Sequence, residues 1–143
     1  VVGPGKISSY QDLAARLGVG GRVEFLGEKE NPFPELGKAD LFVLPSRSEG
    51  FPNVLLEAMA LGRPVLAADC ETGPDEIIDG KNGRLFPVED YQALADHIRE
   101  LVVDEQKLKR MGARAQETVC EHFRLTTQLS KMEQTLEKAA SVT

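Results

Sequence analysis

Two short, unbroken apolar runs fix the architecture available to this chain. Leu41-Phe42-Val43-Leu44, preceded by Asp40, is closed by Pro45, and Val65-Leu66-Ala67-Ala68 follows Pro64. Runs of this length without polar alternation suit strands buried on both faces of a sheet. Between them, Asn53 can cap a helix over Val54–Leu61, whose residues favour helix, and Gly62 with Pro64 ends it. Strand, glycine-containing loop and helix N-terminus together form a common anion site in α/β proteins, because free N–H groups and the helix dipole point at the ligand.

Two carboxylates sharpen that picture. Glu49 falls in the loop and Glu57 in the helix. Glu57 lies one turn past Asn53, so the two share a face. Its neighbours Val54, Leu55, Leu56, Ala58, Met59 and Leu61 are apolar, and an unpaired charge buried among them would be costly. A phosphate alone would repel the acid, whereas an ionised carboxylate can accept both protons of a ribose diol. Loop amides for a diphosphate and two acids for two polyols describe a nucleotide-sugar site. Spacing alone leaves open the alternative that both acids are surface charges on an ordinary strand-loop-helix unit.

The remaining composition narrows the class. At 143 residues, 41% hydrophobic and 28% charged, the chain suits one soluble globular domain. Its 17 basic against 23 acidic residues, a net charge of −6, argue against a general nucleic-acid binder. Cys70 and Cys120 show no disulfide pattern and no metal spacing and read as free thiols. There is no Asp-x-Asp pair to imply a metal, no run long enough to span a membrane, and no signal-peptide zoning after Val1.

In chain order, Val1-Val2-Gly3-Pro4-Gly5 reads as the end of a strand entering a glycine turn, as in a piece of a longer chain. Ser8 or Ser9 is expected to cap a helix carrying Tyr10, Leu13, Ala14 and Leu17 inward. A strand is expected over Val23–Leu26, and a turn and short helix over Asn31–Leu36. After the central unit come a short helix at Gly73–Asp79 and a strand at Gly83–Phe86. From Glu89 the chain is helical, with Tyr91, Leu94, Ala95, Ile98, Leu101 and Val102 on one face. A second helix starts from Asp104 as cap, with Leu108, Met111, Ala115 and Val119 inward, and a third carries Leu125, Leu129, Met132 and Leu136. Strands alternating with helices imply a mostly parallel sheet covered on both faces.

The Glu49–Glu57 pair resembles the E-x7-E motif of retaining glycosyltransferases with two facing Rossmann-like domains, the GT-B architecture of glycosyltransferase group 1. Its flanks, Ala39–Ser46 and Glu57–Val65, and the later words Gly73-Pro74-Asp75-Glu76-Ile77-Ile78 and Asn82-Gly83-Arg84-Leu85-Phe86-Pro87, resemble the same family in the same order. The resemblance implies an α/β, Rossmann-like C-terminal domain that binds the sugar donor, followed by a helical C-terminal tail. It implies that residues 1–143 are a partial domain lacking its first, central strand and first helix. A gap in the sheet is then expected between the strand ending at Gly3 and that at 41–44, or its filling by another chain, and a continuous five-stranded ladder joining them directly would refute it.

The resemblance also implies roles. Glu57 would hold the ribose hydroxyls, and Glu49, the catalytic residue, would hold hydroxyls of the donor sugar. The amides of Gly50, Phe51, Asn53 and Val54 would meet the sugar and diphosphate. Gly27 and Glu28 would approach the base, and Gly73 would allow close backbone approach, with Thr72 standing where many relatives carry a second glycine. The role of Glu76 stays open. The donor would be a nucleotide diphosphate sugar, of the UDP class, with no cofactor and no metal. The acceptor would be a saccharide or lipid-linked intermediate held by an N-terminal domain outside this chain. A cytoplasmic protein is implied, with peripheral membrane attachment through that other half compatible. The alternative function is a nucleotide-sugar-binding module without turnover, serving a partner. His97 and Arg47 read as surface groups, and His122 as a cation suited to a helix C-terminus.

Overall fold

The computed structural model describes residues 1–3, 6–124 and 127. It divides into two compact units, Val1–Glu35 and Leu36–Thr143. In the first, α1 spans Ile7–Arg16. Lys6 takes the N-cap position without a side-chain bond, and the expected serine cap is replaced by a different contact: Ser9 Oγ donates to the Lys6 carbonyl at 2.8 Å. Ala14 is buried, but Tyr10, Leu13 and Leu17 are exposed, Tyr10 stacking on Phe25 at 6.4 Å. Residues 23–26 form no strand. A 3-10 turn at Gly20–Arg22 precedes them, and among the described residues one parallel bridge, Val2 with Gly27, closes on the chain start. A single bridge with one partner segment is too short to establish a ladder.

The unit boundary falls inside α2, Phe33–Lys38, where the Asn31 side-chain oxygen accepts from the Phe33 N–H and Pro34 occupies the first turn. Beyond it the order is β1 (Phe42–Leu44), α3 (Asn53–Ala60), β2 (Val65–Asp69), α4 (Pro74–Ile77), β3 (Arg84–Pro87), α5 (Tyr91–Val102) and α6 (Glu105–His122). The three strands form a parallel sheet in the order β1-β2-β3, with Leu44 opposite Ala67 and Asp69 opposite Pro87. The Val2–Gly27 bridge lies outside this ladder, and no five-stranded ladder is formed among the described residues.

Alternation along β2 sets both cores. Val65 and Ala67 face a cluster with Leu55, Ala58, Met59, Ile77 and Ala115; Leu66 and Ala68 face one with Phe86, Leu101 and Met111. Period-two geometry sends successive side chains to opposite faces, so a strand buried on both has no polar position to offer. Asp104 caps α6 as expected, accepting from the Lys107 N–H at 2.9 Å, while Asp90, expected inside the helix, caps α5 by accepting from the Ala93 N–H at 2.8 Å. Leu101, Met111 and Ala115 are buried as expected, while Tyr91 and Val102 are 74% and 58% exposed. They are the first and last residues of α5. The expected third helix lies outside the described residues apart from residue 127.

Three features close the packing. Helix α3 ends in a Schellman turn: the Gly62 N–H meets the Met59 carbonyl and the Arg63 N–H meets that of Ala58, with Gly62 at φ +68°. Gly112 of α6 packs on that turn so closely that a Cβ there would lie 2.2 Å from the Gly62 carbonyl oxygen. Fully buried Asn82 accepts from the Asp79 N–H and donates to the Ile77 carbonyl and Thr118 Oγ1. Burial pushes the Asp79 carboxyl up, but hydrogen bonds from the Asn82 and Lys81 N–H groups and nearby Arg114 leave it below its ordinary range.

At the surface, Arg84 grips Glu100 with both guanidinium nitrogens at 2.6 and 3.0 Å, and Lys107 Nζ reaches the same carboxylate at 2.5 Å. Half-buried His97, expected in solvent, places Nδ1 3.4 Å from Arg84 Nη1.

The Gly112 contact predicts that Gly112→Ala lowers stability in urea by about 3 kcal/mol, since neither backbone can yield. Gly21→Ala, with open space around the site, is expected to stay within about 0.5 kcal/mol. The Arg84 hydrogen bond, then that of Lys107, lowers the Glu100 pKa to about 2. Because the folded state favours the ionised form, this contribution is present above the ordinary carboxylate pKa and lost as pH falls from about 4.5 toward 2. The gap in urea midpoint between wild type and Glu100→Gln is expected to close over that window, and to shrink in high salt because the group is exposed.

Candidate functional site

Parallel pairing places the carboxyl ends of β1, β2 and β3 at one edge of the sheet, the edge at which open α/β sheets bind ligands. The loop after β1 runs over residues 45–52 and carries Glu49, Gly50 and Phe51. Pro52, fully buried, takes the N-cap position of α3 at φ −80° and ψ 78°. Asn53, expected there, is instead the first helical residue, with its side chain exposed and making no capping bond. Proline suits this place because it carries no N–H to orphan and its φ is already near helical.

The helix entrance contains both engaged and open donors. The Asn53 N–H donates to the Phe51 carbonyl and the Leu55 N–H to the Pro52 carbonyl, both at 2.9 Å. Asn53 is therefore committed locally, unlike the expectation that its amide faces a ligand. The N–H groups of Gly50, Phe51 and Val54 have no acceptor among the described residues. They lie at the positive end of the α3 dipole.

Glu49 and Glu57 are both half-buried, and neither carboxylate has a hydrogen-bond or ion-pair partner among the described residues. Glu57 occupies the α3 flank beside the face that buries Leu55, Ala58 and Met59. Phe51 is 49% exposed and packs at a tilt on Phe123, centroids 6.3 Å apart. Arg47 pairs with Glu89 across the same edge at 2.6 Å, with 78% of its side chain exposed, in keeping with a surface role.

The β2–α4 loop meets the Glu49 loop directly. Thr72 Oγ1 donates to the Glu49 carbonyl at 2.5 Å. Gly73, buried at φ +98°, lies where a Cβ would come within 2.7 Å of Pro52 Cδ and 3.1 Å of the Gly50 carbonyl. The sequence marks Gly73 as a place of close approach, and its neighbour here is the Gly50–Pro52 backbone. It does not mark the Thr72 hydrogen bond or the Pro52 cap; the proline before a helix pattern is the signal that could have found the cap.

Gly27 and Glu28 belong to the first unit. Gly27 has φ +70° and its carbonyl accepts from the Gly3 N–H; Glu28 is exposed. Three surface depressions are lined by other residues: one by Glu76, Asp79, Asn82, Arg114, Thr118 and neighbours, one by Lys81, Arg84, Asp104, Lys107, Arg110 and neighbours, and one by Ser9, Asp12, Ala15 and Arg16. In the second, Arg84 and Lys107 are already paired with Glu100, and Arg110 reaches Asp104 at 4.0 Å. Glu76 is exposed at the first of these. No group of three metal-ligating side chains gathers among the described residues, both cysteines are free thiols, and no described helix is long and apolar enough to cross a membrane.

The chain resembles known proteins in sequence and in fold. Residues 1–104 match the family described as glycosyl transferases group 1. An exopolysaccharide phosphotransferase of Streptomyces coelicolor is 43% identical over 114 residues, 78% of this chain and 12% of that protein. The N-acetyl-alpha-D-glucosaminyl L-malate synthase of Bacillus anthracis is 37% identical over 134 residues, 93% of this chain and 35% of the enzyme. In three dimensions, HepE of Anabaena, solved in complex with UDP, superposes with a TM-score of 0.87 at 30% identity, over 96% of this chain and 40% of HepE. The chain thus spans between about a tenth and two fifths of the length of these relatives. With its parallel sheet, Rossmann-like layering and match over most of its length, the chain belongs to the group 1 glycosyl transferases.

Proposed function

We propose that the chain is the donor-binding part of a retaining glycosyltransferase that uses a UDP-sugar. The observation that carries this reading is the pair of half-buried, unpartnered carboxylates, Glu49 and Glu57, flanking a helix entrance with open N–H groups. HepE has been solved with UDP and with UDP-glucose, which supports the donor class. Several relatives, among them a lipopolysaccharide core biosynthesis glycosyltransferase of Rhizobium meliloti, are named for glycan assembly, which supports a saccharide or lipid-linked acceptor. The Streptomyces relative is named for a different transfer, but only 12% of it corresponds to this chain.

In this reading Glu57 accepts the ribose hydroxyl protons and Glu49 those of the sugar. The Gly50, Phe51 and Val54 N–H groups face the diphosphate or sugar oxygens, with Gly73 keeping the loop backbone close. The difficult step separates an oxocarbenium-like sugar from a leaving diphosphate. Donors already aimed at the oxygens that gain charge lower that barrier without reorganisation. The acceptor-binding groups and the cations that clamp the phosphates are assigned to parts of the enzyme outside these residues, so the 143-residue chain by itself is expected to transfer no sugar. A cytoplasmic setting follows from the donor pool this reading needs.

In the full-length protein assayed with radiolabelled UDP-sugars, Glu57→Gln is expected to raise the donor KM about 10- to 100-fold, the loss of one or two hydrogen bonds to a charged group. Glu49→Gln is expected to lower kcat about 100-fold, as for a contact strengthened in the transition state. Proton NMR of the product is expected to show the donor's anomeric configuration retained. Full turnover in both folded variants would overturn the assignment; donor binding without transfer by the full-length protein would favour a binding module.

A further inference from the structure

We propose that Thr72 is a positioning residue for Glu49. The inference rests on the donor-site reading of Glu49 and concerns what holds that carboxylate in place. Residues 45–52 contain no regular structure, and Gly50 follows Glu49 directly, so the backbone at Glu49 has wide freedom of its own. Its carboxylate has no hydrogen-bond or ion-pair partner among the described residues to orient it. The tie the structure gives the Glu49 backbone is the Thr72 hydroxyl, which donates to its carbonyl at 2.5 Å across 23 positions of sequence. The next residue, Gly73, seats the β2–α4 loop against Pro52 and the Gly50 carbonyl, so the hydrogen bond acts across a close-packed seam. Cys70 Sγ donates to the Thr72 carbonyl at 3.7 Å within the same loop. Thr72 is exposed, so its hydroxyl adds little to folding. Its effect falls on the angle and height at which Glu49 is presented.

A carboxylate set slightly wrong costs rate more than affinity, because alignment with the reacting sugar matters most in the transition state. In the full-length enzyme, Thr72→Val, which keeps the shape and removes the donor, is expected to lower kcat about 10-fold while the donor KM changes less than about 2-fold. Thr72→Ser, which restores the hydroxyl, is expected to recover kcat to within about 2-fold. In the Glu49→Gln background, Thr72→Val is expected to have no further effect, since it works through the carboxylate already removed. Thermal midpoints confirm folding, and Thr72→Ala replaces the valine variant should that one unfold. A kcat unchanged in Thr72→Val, a failure of serine to rescue, or full additivity with Glu49→Gln would each overturn the positioning role. If Glu49→Gln itself leaves kcat intact, the donor-site reading fails first and this inference with it. If Glu49→Gln lowers kcat and Thr72→Val does not, the positioning role alone fails.

Discussion

Parallel pairing of β2 with both of its neighbours is the constraint from which the candidate site follows. Parallel strands cannot be joined by tight hairpins; each connection must cross back over a sheet face, and α3 and α4 are those crossings. All three carboxyl ends therefore arrive at one edge. The register puts Leu44 beside Ala67 and Asp69 beside Pro87, so the loops that leave β1, β2 and β3 start as neighbours. Contacts distant in sequence then become short: Thr72 to the Glu49 carbonyl, Gly73 to Pro52, Arg47 to Glu89. The buried interior of β2 contributes no chemistry of its own. It fixes where the chemistry can be.

Accounting for backbone donors gives the site its polarity. A helix leaves its first N–H groups without intrahelical acceptors. In α3, Pro52 removes one such donor, and the Phe51 and Pro52 carbonyls take up two more. What remains open is a narrow set at Gly50, Phe51 and Val54, flanked by the acids at 49 and 57. Bare anions would meet attraction from the amides and repulsion from the carboxylates. A ligand that places an anionic centre between two groups of hydroxyls satisfies both, and this is the charge pattern of a nucleotide diphosphate sugar on the proposed reading.

Much of this was legible in the sequence, and the reasons differ by element. The strands at 42–44 and 65–69 announced themselves by unbroken apolar runs, because burial on both faces removes polar alternation. Asp104 is legible as a helix start because capping is a local matter of one side chain and one N–H; Asp90 is not, because the helical pattern extends back over Glu89, two residues before α5 begins. Residues 23–26 misled: their alternation suits a strand, but a strand exists only through its partner, and among the described residues the pairing there amounts to a single bridge, Val2 with Gly27. Tyr91 and Val102 fit the helical period yet stay exposed, since periodicity gives the direction of a side chain and not the extent of the surface it meets. Asn53 misled for a related reason. Its side chain is a favoured cap, but the buried proline before it already occupies that position.

Thr72 and Gly73 illustrate why long-range ties escape a reading of local pattern. Gly73 is legible as a glycine at a sharp turn, and its φ of +98° and its contact with the Gly50 carbonyl give the physical reason. But a glycine that permits close approach has no side chain with which to hold what it approaches. That task passes to an adjacent residue, and nothing in the spacing of the chain says which loop the adjacent hydroxyl will reach. Only the strand register decides that Thr72 stands over Glu49. The two residues thus divide one function: Gly73 allows the seam between the loops to close, and Thr72 gives the closed seam a direction.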